Sequence, residues 1–161
     1  MRVGNVPTVS EPVLRQAEAG DVGAVRTLVE ATYGHYVARI GRPPRPMTAD
    51  YAALVEAGRV WVAESGGGLI GLLVLDAQPD HLLVENVAVV PTAQGSGVGT
   101  ALLDFAETEA VRLGLAELRL YTNEKMTENI AYYPRRGFRE THRETSAGFR
   151  VVHFAKPVVG S

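Results

Sequence analysis

Residues 87–100, which read VAVVPTAQGSGVGT, decide the fold. The apolar run predicts a strand, Pro91 ends it, and glycines at positions 95, 97 and 99 predict a turn that opens a helix. Glycine lets backbone amides approach a ligand closely, and a helix N-terminus adds unpaired amides with partial positive charge. The segment therefore predicts a pyrophosphate cradle. A glycine-rich helix entry that serves only tight packing would have the same pattern.

Two other phosphate-binding turns are excluded by the same segment. It lacks the Gly-Lys-Ser or Gly-Lys-Thr ending of a nucleoside triphosphate loop, which supplies a lysine and a magnesium ligand. It also lacks the GxGxxG spacing of a dinucleotide-binding fold.

The segment joins the two clearest elements of the chain. Residues 81–90 are apolar on both faces of a two-residue period, which predicts a central strand covered on both sides, and residues 98–113 carry an apolar helical face. Prolines 43, 44 and 46 predict a loop. The remaining elements are predicted as a strand at 13–17, a helix capped by Asp21, a helix at 48–57, a strand hairpin at 59–65 and 69–77, a strand at 115–121, a short helix at 127–133, and strands at 138–142 and 151–156.

Composition restricts the class of protein. At 161 residues, with 46% hydrophobic and 21% charged residues, the chain fits one packed domain, which we place at residues 12–158 after a flexible arm at residues 1–11. A net charge of −2 gives no field suited to nucleic acid. The absence of cysteine excludes disulfides and an acyl-cysteine intermediate.

Neither a membrane segment nor a metal site is predicted. The longest apolar runs, such as residues 69–75, are far shorter than the roughly 20 residues that cross a bilayer, and residues 1–10 lack an apolar signal core. We therefore expect a cytoplasmic protein. No zinc-binding spacing occurs among the four scattered histidines, His35, His81, His142 and His153.

Two motifs give the chain a resemblance to a known family. Gln94-x-x-Gly97-x-Gly99 resembles the Gln/Arg-x-x-Gly-x-Gly/Ala signature of the GNAT superfamily of N-acetyltransferases. Residues 128–138, ENIAYYPRRGF, look like that family's Asn-containing helix ending in Tyr-x-x-x-Gly-Phe. The resemblance covers residues 14–156. It implies a mixed α/β fold with a six- to seven-stranded, largely antiparallel sheet that is splayed at a coenzyme A cleft and flanked by about four helices.

The resemblance also assigns residues to acetyl-coenzyme A. The central strand would splay at a bulge near Asn86 or Val87, and the backbone of Val87 and Val89 would pair with the pantetheine arm. Asn129 would touch that arm or position the strand ends around it. The pyrophosphate would be held by amides of Gln94, Gly95, Ser96, Gly97, Val98, Gly99 and Thr100.

The chemistry of amine acetylation adds two candidate catalytic residues. An alkyl amine is protonated at neutral pH, so a base must remove a proton before the nitrogen attacks. Glu85 is the one acid in an apolar strand, where burial would favour such a base, and His81 is a rival. The Val87 amide would stabilise the developing oxyanion. Tyr133, placed near the thioester by the resemblance, would protonate the departing thiolate.

Structural alternatives stand beside these roles. Glu85 could be only a partner for a loop amide or an arginine, and Pro134 departs from the family's usual helix end, which puts the orientation of Tyr133 in question. Asn123 and Glu124 fit turn and cap positions. Arg135 and Arg136 could reach the coenzyme's phosphates or form a solvated pair, and we favour the solvated pair.

The sequence says less about the part of the site that would bind the amine acceptor. The resemblance places the first helices and their loop along the acceptor site, where aromatic rings and a carboxylate would receive a cationic small-molecule or peptide amine. The residues expected along this wall are Tyr33, Tyr36, Arg42, Met47, Asp50 and Tyr51. Of these, Tyr33, Met47 and Tyr51 could equally pack the helices. A non-catalytic acyl-coenzyme A sensor, an enzyme using a longer acyl group near Gly71 and Ala88, and an enzyme acting on a hydroxyl stay open. Family habit suggests a homodimer through an exposed strand at residues 151–154.

Overall fold

One seven-stranded sheet forms the centre of the protein. The computed structural model describes residues 12–159, so the arm predicted at residues 1–11 lies outside the described residues. The order across the sheet is β1-β2-β3-β4-β5-β7-β6, and every neighbouring pair is antiparallel except β4 and β5. The strands are β1 (Val13–Gln16), β2 (Val60–Ser65), β3 (Gly68–Ala77), β4 (Leu82–Val89), β5 (Glu117–Asn123), β6 (Arg139–Ser146) and β7 (Phe149–Pro157). The mixed, largely antiparallel sheet with a central β4 is confirmed.

Six α-helices flank the sheet in the described chain, where about four were expected. The difference lies between the first helix and β2, where the chain forms three short helices because Gly41 ends one of them in a left-handed conformation and Pro46 occupies the first turn of the next. The helices are α1 (Val22–Tyr33), α2 (Tyr36–Ile40), α3 (Arg45–Thr48), α4 (Tyr51–Glu56), α5 (Val98–Arg112) and α6 (Thr127–Arg135).

A bulge in β4 exchanges the two faces of the strand. Val74 of β3 pairs with Asn86 but the next residue, Leu75, pairs with Val84, so Glu85 is the extra residue. In a regular strand residues 84, 86 and 88 would share one face. Here Val84 packs with the α5 side of the core, whereas Ala88 packs with α1 and α4 on the other side. The bulge was expected near Asn86 or Val87 and lies directly before them.

The sheet is splayed beyond the bulge. β4 and β5 pair only at residues 82–84 and 118–120. After these residues β4 follows β3, while β5 follows β7 as far as Asn123. A gap therefore opens between two adjacent strands in the centre of the sheet, as the resemblance implied.

The strand expected to be exposed near the C-terminus is internal. β7 lies between β5 and β6, and Val151, Val152 and Phe154 are buried. The edge is instead β6, which is almost fully exposed and made of polar and charged residues that oppose edge-to-edge pairing. The expectation of an exposed strand at residues 151–154 is therefore wrong, because β7 has no free edge, and the homodimer stays a prediction.

Asp21 precedes α1 but does not cap it with its side chain. The Asp21 carboxylate instead accepts two hydrogen bonds from Arg15, at 2.7 and 2.9 Å, and one from the Glu18 amide at 2.7 Å. It thereby ties β1 to the start of α1.

Candidate active site

The backbone of β4 presents open amides to the gap. Val90 N–H donates to the Ile70 carbonyl of β3, and in an antiparallel ladder every second residue faces the same neighbour. Ala88 therefore also faces β3, and Val87 and Val89 turn their backbone groups away from it. These are the two residues predicted to pair with the pantetheine arm, and they lie where β5 has separated.

Two side chains lie against the carbonyl groups of these residues. The Tyr33 hydroxyl lies 3.3 Å from the Val87 carbonyl, although its one proton is directed at Asn86 Oδ1 at 2.5 Å, and Gln94 Nε2 donates to the Val89 carbonyl at 3.0 Å. The amide N–H groups remain for a ligand in the gap. Gln94 thus also fixes the start of the glycine turn against the end of β4.

The glycine turn leaves a group of free amides at the N-terminus of α5. Gly95 and Gly97 have φ of 82° and 93°, which side chains with a Cβ rarely adopt. The first bond of the helix runs from Ala101 N–H to the Gly97 carbonyl, so the amides of residues 98–100 precede it and have no intrahelical acceptor. The amides of Gln94 and Ser96, by contrast, donate within the turn, to Pro91 and Ala93.

A cleft of about 600 Å³ lies over these amides, and we call it the glycine cleft. Gln94, Gly95, Gly97, Gly99 and Thr100 line it, as do Val87, Val89, Asn129 and Tyr133, all of them predicted site residues. Two other predicted cradle residues do not: Ser96 is exposed outside the cleft, and the Val98 side chain is buried in the core.

A cationic and aromatic wall closes the glycine cleft on the α6 side. Arg136 donates to Thr100 Oγ1 at 3.2 Å, and its guanidinium carbon lies 5.4 Å from the centre of the Tyr132 ring. The Tyr132 hydroxyl lies against Gly99, where an added Cβ would be 3.2 Å from it. Arg135 also lines the cleft. Both arginines are exposed, as a solvated pair would be, and the contact of Arg136 with Thr100 also places it where it could reach a bound phosphate.

Tyr133 lies where the glycine cleft meets a second, narrow cavity of about 60 Å³ below the bulge, which we call the bulge cavity. Tyr133 is 7% exposed and its ring packs at an angle on Phe138 and Phe154. Its hydroxyl has no hydrogen-bond partner among residues 12–159. Burial, with smaller contributions from Tyr132 and Tyr36, raises the pKa of Tyr133 well above its usual range. The hydroxyl is therefore protonated at neutral pH.

Asn129 lines both cavities and connects α6 to β5. Its Nδ2 donates to Thr122 Oγ1 at 3.1 Å, on the part of β5 that has left β4. This contact matches the alternative in which Asn129 positions a strand end. Its side-chain oxygen has no partner among the residues that the structure describes, and it remains available to a ligand.

Glu85 lines the bulge cavity, but it is not buried among apolar groups. Its side chain is 32% exposed, and Oε2 accepts a hydrogen bond from Arg59 Nη2 at 2.7 Å. The burial expected for a base in an apolar strand is absent, since the bulge turns Glu85 out of the ladder. The rival His81 lies at the far end of β4, where Nδ1 is 2.7 Å from Asp80, and lines neither cavity.

A buried polar network next to the bulge was not foreseen. Asn86 is 7% exposed; its Oδ1 accepts from the Tyr33 hydroxyl at 2.5 Å, and its Nδ2 donates to the Tyr51 hydroxyl at 3.1 Å. Tyr51 in turn donates to the Pro46 carbonyl. Burial raises the pKa of Tyr51 to about 12. An asparagine in an apolar strand needs such partners, and this was the signal available in the sequence.

The residues proposed for the acceptor wall are mostly engaged in the fold. Tyr33 and Tyr51 belong to the Asn86 network, Asp50 caps α4 by accepting from Ala53 N–H, and Arg42 lies 3.7 Å over the Phe149 ring. Tyr36 donates to Glu128 at 3.1 Å. Met47 packs beside the α1 core.

Three of the residues proposed for the acceptor wall also line cavities: Tyr33 lines the bulge cavity, and Asp50 and Tyr51 line a neighbouring cavity of about 260 Å³. The residues shared by these two cavities are Arg45, Pro46, Glu85, Asn86 and Tyr121. Arg45 is the cation common to both. Sequence reasoning missed it because the β6–β7 hairpin holds it in place, through bonds to Ser146 that span 101 residues of chain. The small residues Gly71 and Ala88 are packed: a Cβ on Gly71 would lie 3.0 Å from Val98 and from Leu102 of α5.

The histidines are less scattered in space than in sequence. His142 and His153 stack in parallel with ring centres 4.2 Å apart, next to Glu144. The argument from sequence spacing against a metal therefore does not extend to this pair. None of the helices between residues 12 and 159 has both the length and the apolar character needed to cross a membrane.

Comparison with known proteins gives a family match. Residues 56–140, just over half of the chain, match the model described as the acetyltransferase (GNAT) domain. An IAA acetyltransferase from Azospirillum brasilense is 34% identical over 82 residues, covering 50% of this chain and 54% of its own length. An aminoalkylphosphonate N-acetyltransferase from Salmonella typhimurium is 32% identical over 88 residues, with 50% and 56% covered. The chain thus spans about half the length of these two relatives.

Similarity in structure extends over almost the whole chain. The PaiA N-acetyltransferase from Thermoplasma acidophilum, solved in complex with coenzyme A, superimposes with a TM-score of 0.76 over 91% of this chain and 98% of its own. The sequences are 16% identical, so this likeness shows the fold.

Proposed function

Because the chain belongs to the GNAT acetyltransferase family, we propose that it transfers the acetyl group of acetyl-coenzyme A directly to an amine in a ternary complex. The observation that carries the proposal is the meeting of two cavities in the splayed sheet. Val87, Asn129 and Tyr133 line both the glycine cleft and the bulge cavity. A thioester entering from one side and an amine from the other would meet at these residues.

The glycine cleft has the donor groups that a coenzyme A pyrophosphate requires. Free amides of Gly97, Val98, Gly99 and Thr100 point from a helix N-terminus, and oriented backbone donors of this kind favour a bound anion. Arg136 adds a cation at Thr100. The Val87 and Val89 amides then suit the amide carbonyls of a pantetheine arm, which would occupy the position of a missing neighbouring strand. The thioester supplies the acetyl group.

Tyr133 is the proposed proton donor to the departing thiolate. Its hydroxyl is buried and protonated at the junction of the cavities, and no residue between 12 and 159 hydrogen-bonds to it. The same burial would raise the proton affinity of a thiolate formed beside it, which favours donation even from a tyrosine of raised pKa. The Val87 amide is the proposed donor to the carbonyl oxygen as it gains charge.

Glu85 is the proposed base for the acceptor amine. It lies at the bulge, on the acceptor side of Val87, and Arg59 holds its carboxylate in one position. A water molecule between Glu85 and the amine would complete the proton path.

A small molecule is the proposed acceptor. The cavities beside the bulge are small, and Arg45 and Glu85 place opposite charges along them. An amine that also carries an anionic group suits this arrangement, and a relative named as an aminoalkylphosphonate N-acetyltransferase acts on that kind of compound. The cytoplasmic location stays a prediction.

The test is calorimetric titration with acetyl-coenzyme A, followed by thiol release in the presence of polyamines, amino acids and aminoalkylphosphonates. Binding with amine-dependent thiol release supports the enzyme. Binding without release on any amine would favour the sensor alternative. The absence of binding would overturn the cradle assignment.

A further inference from the structure

Three side chains with metal-binding atoms converge on one face of the β6–β7 hairpin. His142 pairs directly with His153 across the two strands, and Glu144 follows His142 by two residues, so it lies on the same face. A bulge at Thr141 sets this register, because Glu140 pairs with the buried Phe154 and points to the other face. No motif within one segment reveals the cluster.

The donor atoms of the cluster lie close together without satisfying one another. Glu144 Oε2 lies 2.6 Å from His153 Nε2 and 3.8 Å from His142 Nε2, and the three donor atoms all lie within 4.8 Å of one another. His153 Nε2 is buried, and it makes no hydrogen bond of acceptable geometry with any residue from 12 to 159. A buried ring nitrogen beside a carboxylate, without a directed hydrogen bond, suits a cation between them.

Thr141 favours the form of His142 that binds a metal. Its hydroxyl lies 3.3 Å from the His153 carbonyl, to which it donates, and 3.1 Å from His142 Nδ1. Since the hydroxyl has only one proton, it accepts from Nδ1–H of His142. The lone pair of His142 is then on Nε2, the nitrogen that faces Glu144. A ligand histidine commonly has such a partner on its other nitrogen.

We propose that His142, Glu144 and His153 bind a divalent cation of the zinc type, with water completing the coordination. Two imidazoles and one carboxylate form a known zinc ligand set. Metal–ligand distances of about 2.0 to 2.2 Å in a tetrahedron require donor atoms about 3.3 Å apart. The two observed donor separations, 2.6 and 3.8 Å, bracket this value. A rotation of one stacked ring towards Glu144 would direct both lone pairs at the ion.

The site would link the edge strand to the sheet. β6 is almost fully exposed, and backbone hydrogen bonds pair it with β7. The metal would add a link between the side chains of the two strands. Tyr121 lies between the cluster and the bulge cavity. Its ring centre is 5.6 Å from that of His153, and its side chain lines the bulge cavity. The three ligands are thus separate from the residues proposed for acetyl transfer.

The test is calorimetric titration of the untagged protein with Zn²⁺ at pH 7.5 and, in parallel, thermal unfolding with and without Zn²⁺. We expect one ion per chain and a higher melting temperature with metal. His142→Ala and Glu144→Gln should each weaken binding by at least about tenfold, since even the loss of an outer partner of a ligand has that effect. Both residues are exposed, so these variants should fold.

Glu140→Gln and His35→Ala are the matched controls. Glu140 lies on the same strand but on the opposite face, and His35 is exposed on another part of the chain. Neither variant should change the Zn²⁺ affinity. If the protein fails to bind Zn²⁺, or if His142→Ala and Glu144→Gln bind it as tightly as the native chain, the proposal is wrong and the cluster is a hydrogen-bonded histidine pair. Either outcome leaves the acetyl-transfer proposal unaffected.

Discussion

Tyr33 and Asn86 are joined by a 2.5 Å hydrogen bond, from the end of α1 to the residue directly after the bulge in β4. Both groups are buried, so removing the hydroxyl leaves the Asn86 oxygen without its partner. We expect Tyr33→Phe to lower the free energy of unfolding by about 1 to 3 kcal/mol, measured by urea denaturation. The bond also holds the splayed part of β4 in place. Its loss in Tyr33→Phe should therefore raise the KM for acetyl-coenzyme A.

Tyr121→Phe is the control for this prediction. The Tyr121 hydroxyl has no hydrogen-bond partner in the part of the chain that the structure describes, so its removal should change the free energy of unfolding little. Equal losses of stability in the two variants would contradict a specific role for the Tyr33–Asn86 bond.

Gly97 allows a second test, because Gly41 matches it in backbone conformation and in the free space around it. Both are left-handed, with φ of 93° and 95°, and an added Cβ on either would meet nothing within 4 Å. Gly97→Ala and Gly41→Ala should therefore each destabilise the fold by about 1 to 2 kcal/mol. Only Gly97→Ala should weaken the binding of acetyl-coenzyme A, measured by calorimetry, because Gly97 lines the glycine cleft and Gly41 does not. Equal affinities in the two variants would argue against the cradle.

The succession of helices and strands along the chain could be predicted from local patterns in the sequence, and the gap at the end of β4 followed from the resemblance. An apolar strand closed by Pro91 and followed by a glycine turn indicates the same elements wherever they occur. The cradle glycines and Tyr133 belong to contiguous motifs, so their positions near the cleft followed from the resemblance.

The side-chain partners at the bulge, the position of Arg45 and the internal position of β7 could not be predicted, because they depend on strand register and on contacts between distant segments. One extra residue in β4 decides that Glu85 meets Arg59 and that Asn86 meets Tyr33, and periodicity cannot fix a bulge to a single position. Arg45 is held beside the bulge cavity by its hydrogen bond to Ser146 in the β6–β7 hairpin, 101 residues later in the chain. The internal position of β7 also follows from strand order, which sequence spacing leaves open.

Asp21 gives a prediction for acid stability. The adjacent Arg15 guanidinium and the Glu18 amide lower the pKa of Asp21 from 3.8 to about 2. Because the pKa in the folded state is below the unfolded value, the contact stabilises the fold above about pH 4 and is lost as the pH falls towards 2. Asp21→Asn should cost about 1 kcal/mol at pH 7 and almost nothing at pH 2, in urea titrations at both pH values. Asp104→Asn, at an exposed residue without an ion pair among those described, should show no such difference.

Tyr133→Phe tests the proposed acid. We expect kcat to fall by about 10² or more, with the affinity for acetyl-coenzyme A unchanged, because the hydroxyl has no structural partner to lose. Tyr132→Phe is the matched control, since the neighbouring ring lies against Gly99 and away from the bulge cavity. Stopped-flow and steady-state thiol release would separate the chemical step from product release. A kcat for Tyr133→Phe close to that of the native chain would exclude the hydroxyl as the donor.

Glu85 and Arg59 provide the means to separate a catalytic carboxylate from a structural one. Glu85→Gln and Arg59→Gln both remove the 2.7 Å ion pair, and Arg59→Gln also removes the bond to the Leu75 carbonyl at 3.1 Å and the pair with Asp76 at 3.6 Å. A purely structural Glu85 therefore requires Glu85→Gln to lose no more stability and no more activity than Arg59→Gln. If Glu85 is the base, Glu85→Gln should lower kcat/KM by about 10² to 10⁴, whereas Arg59→Gln, which keeps the carboxylate, should lower it far less. The kcat/KM for thiol release and the free energy of unfolding, measured for the native chain, both variants and the double variant, decide between the two roles, because only the variants that lose the carboxylate lose the base.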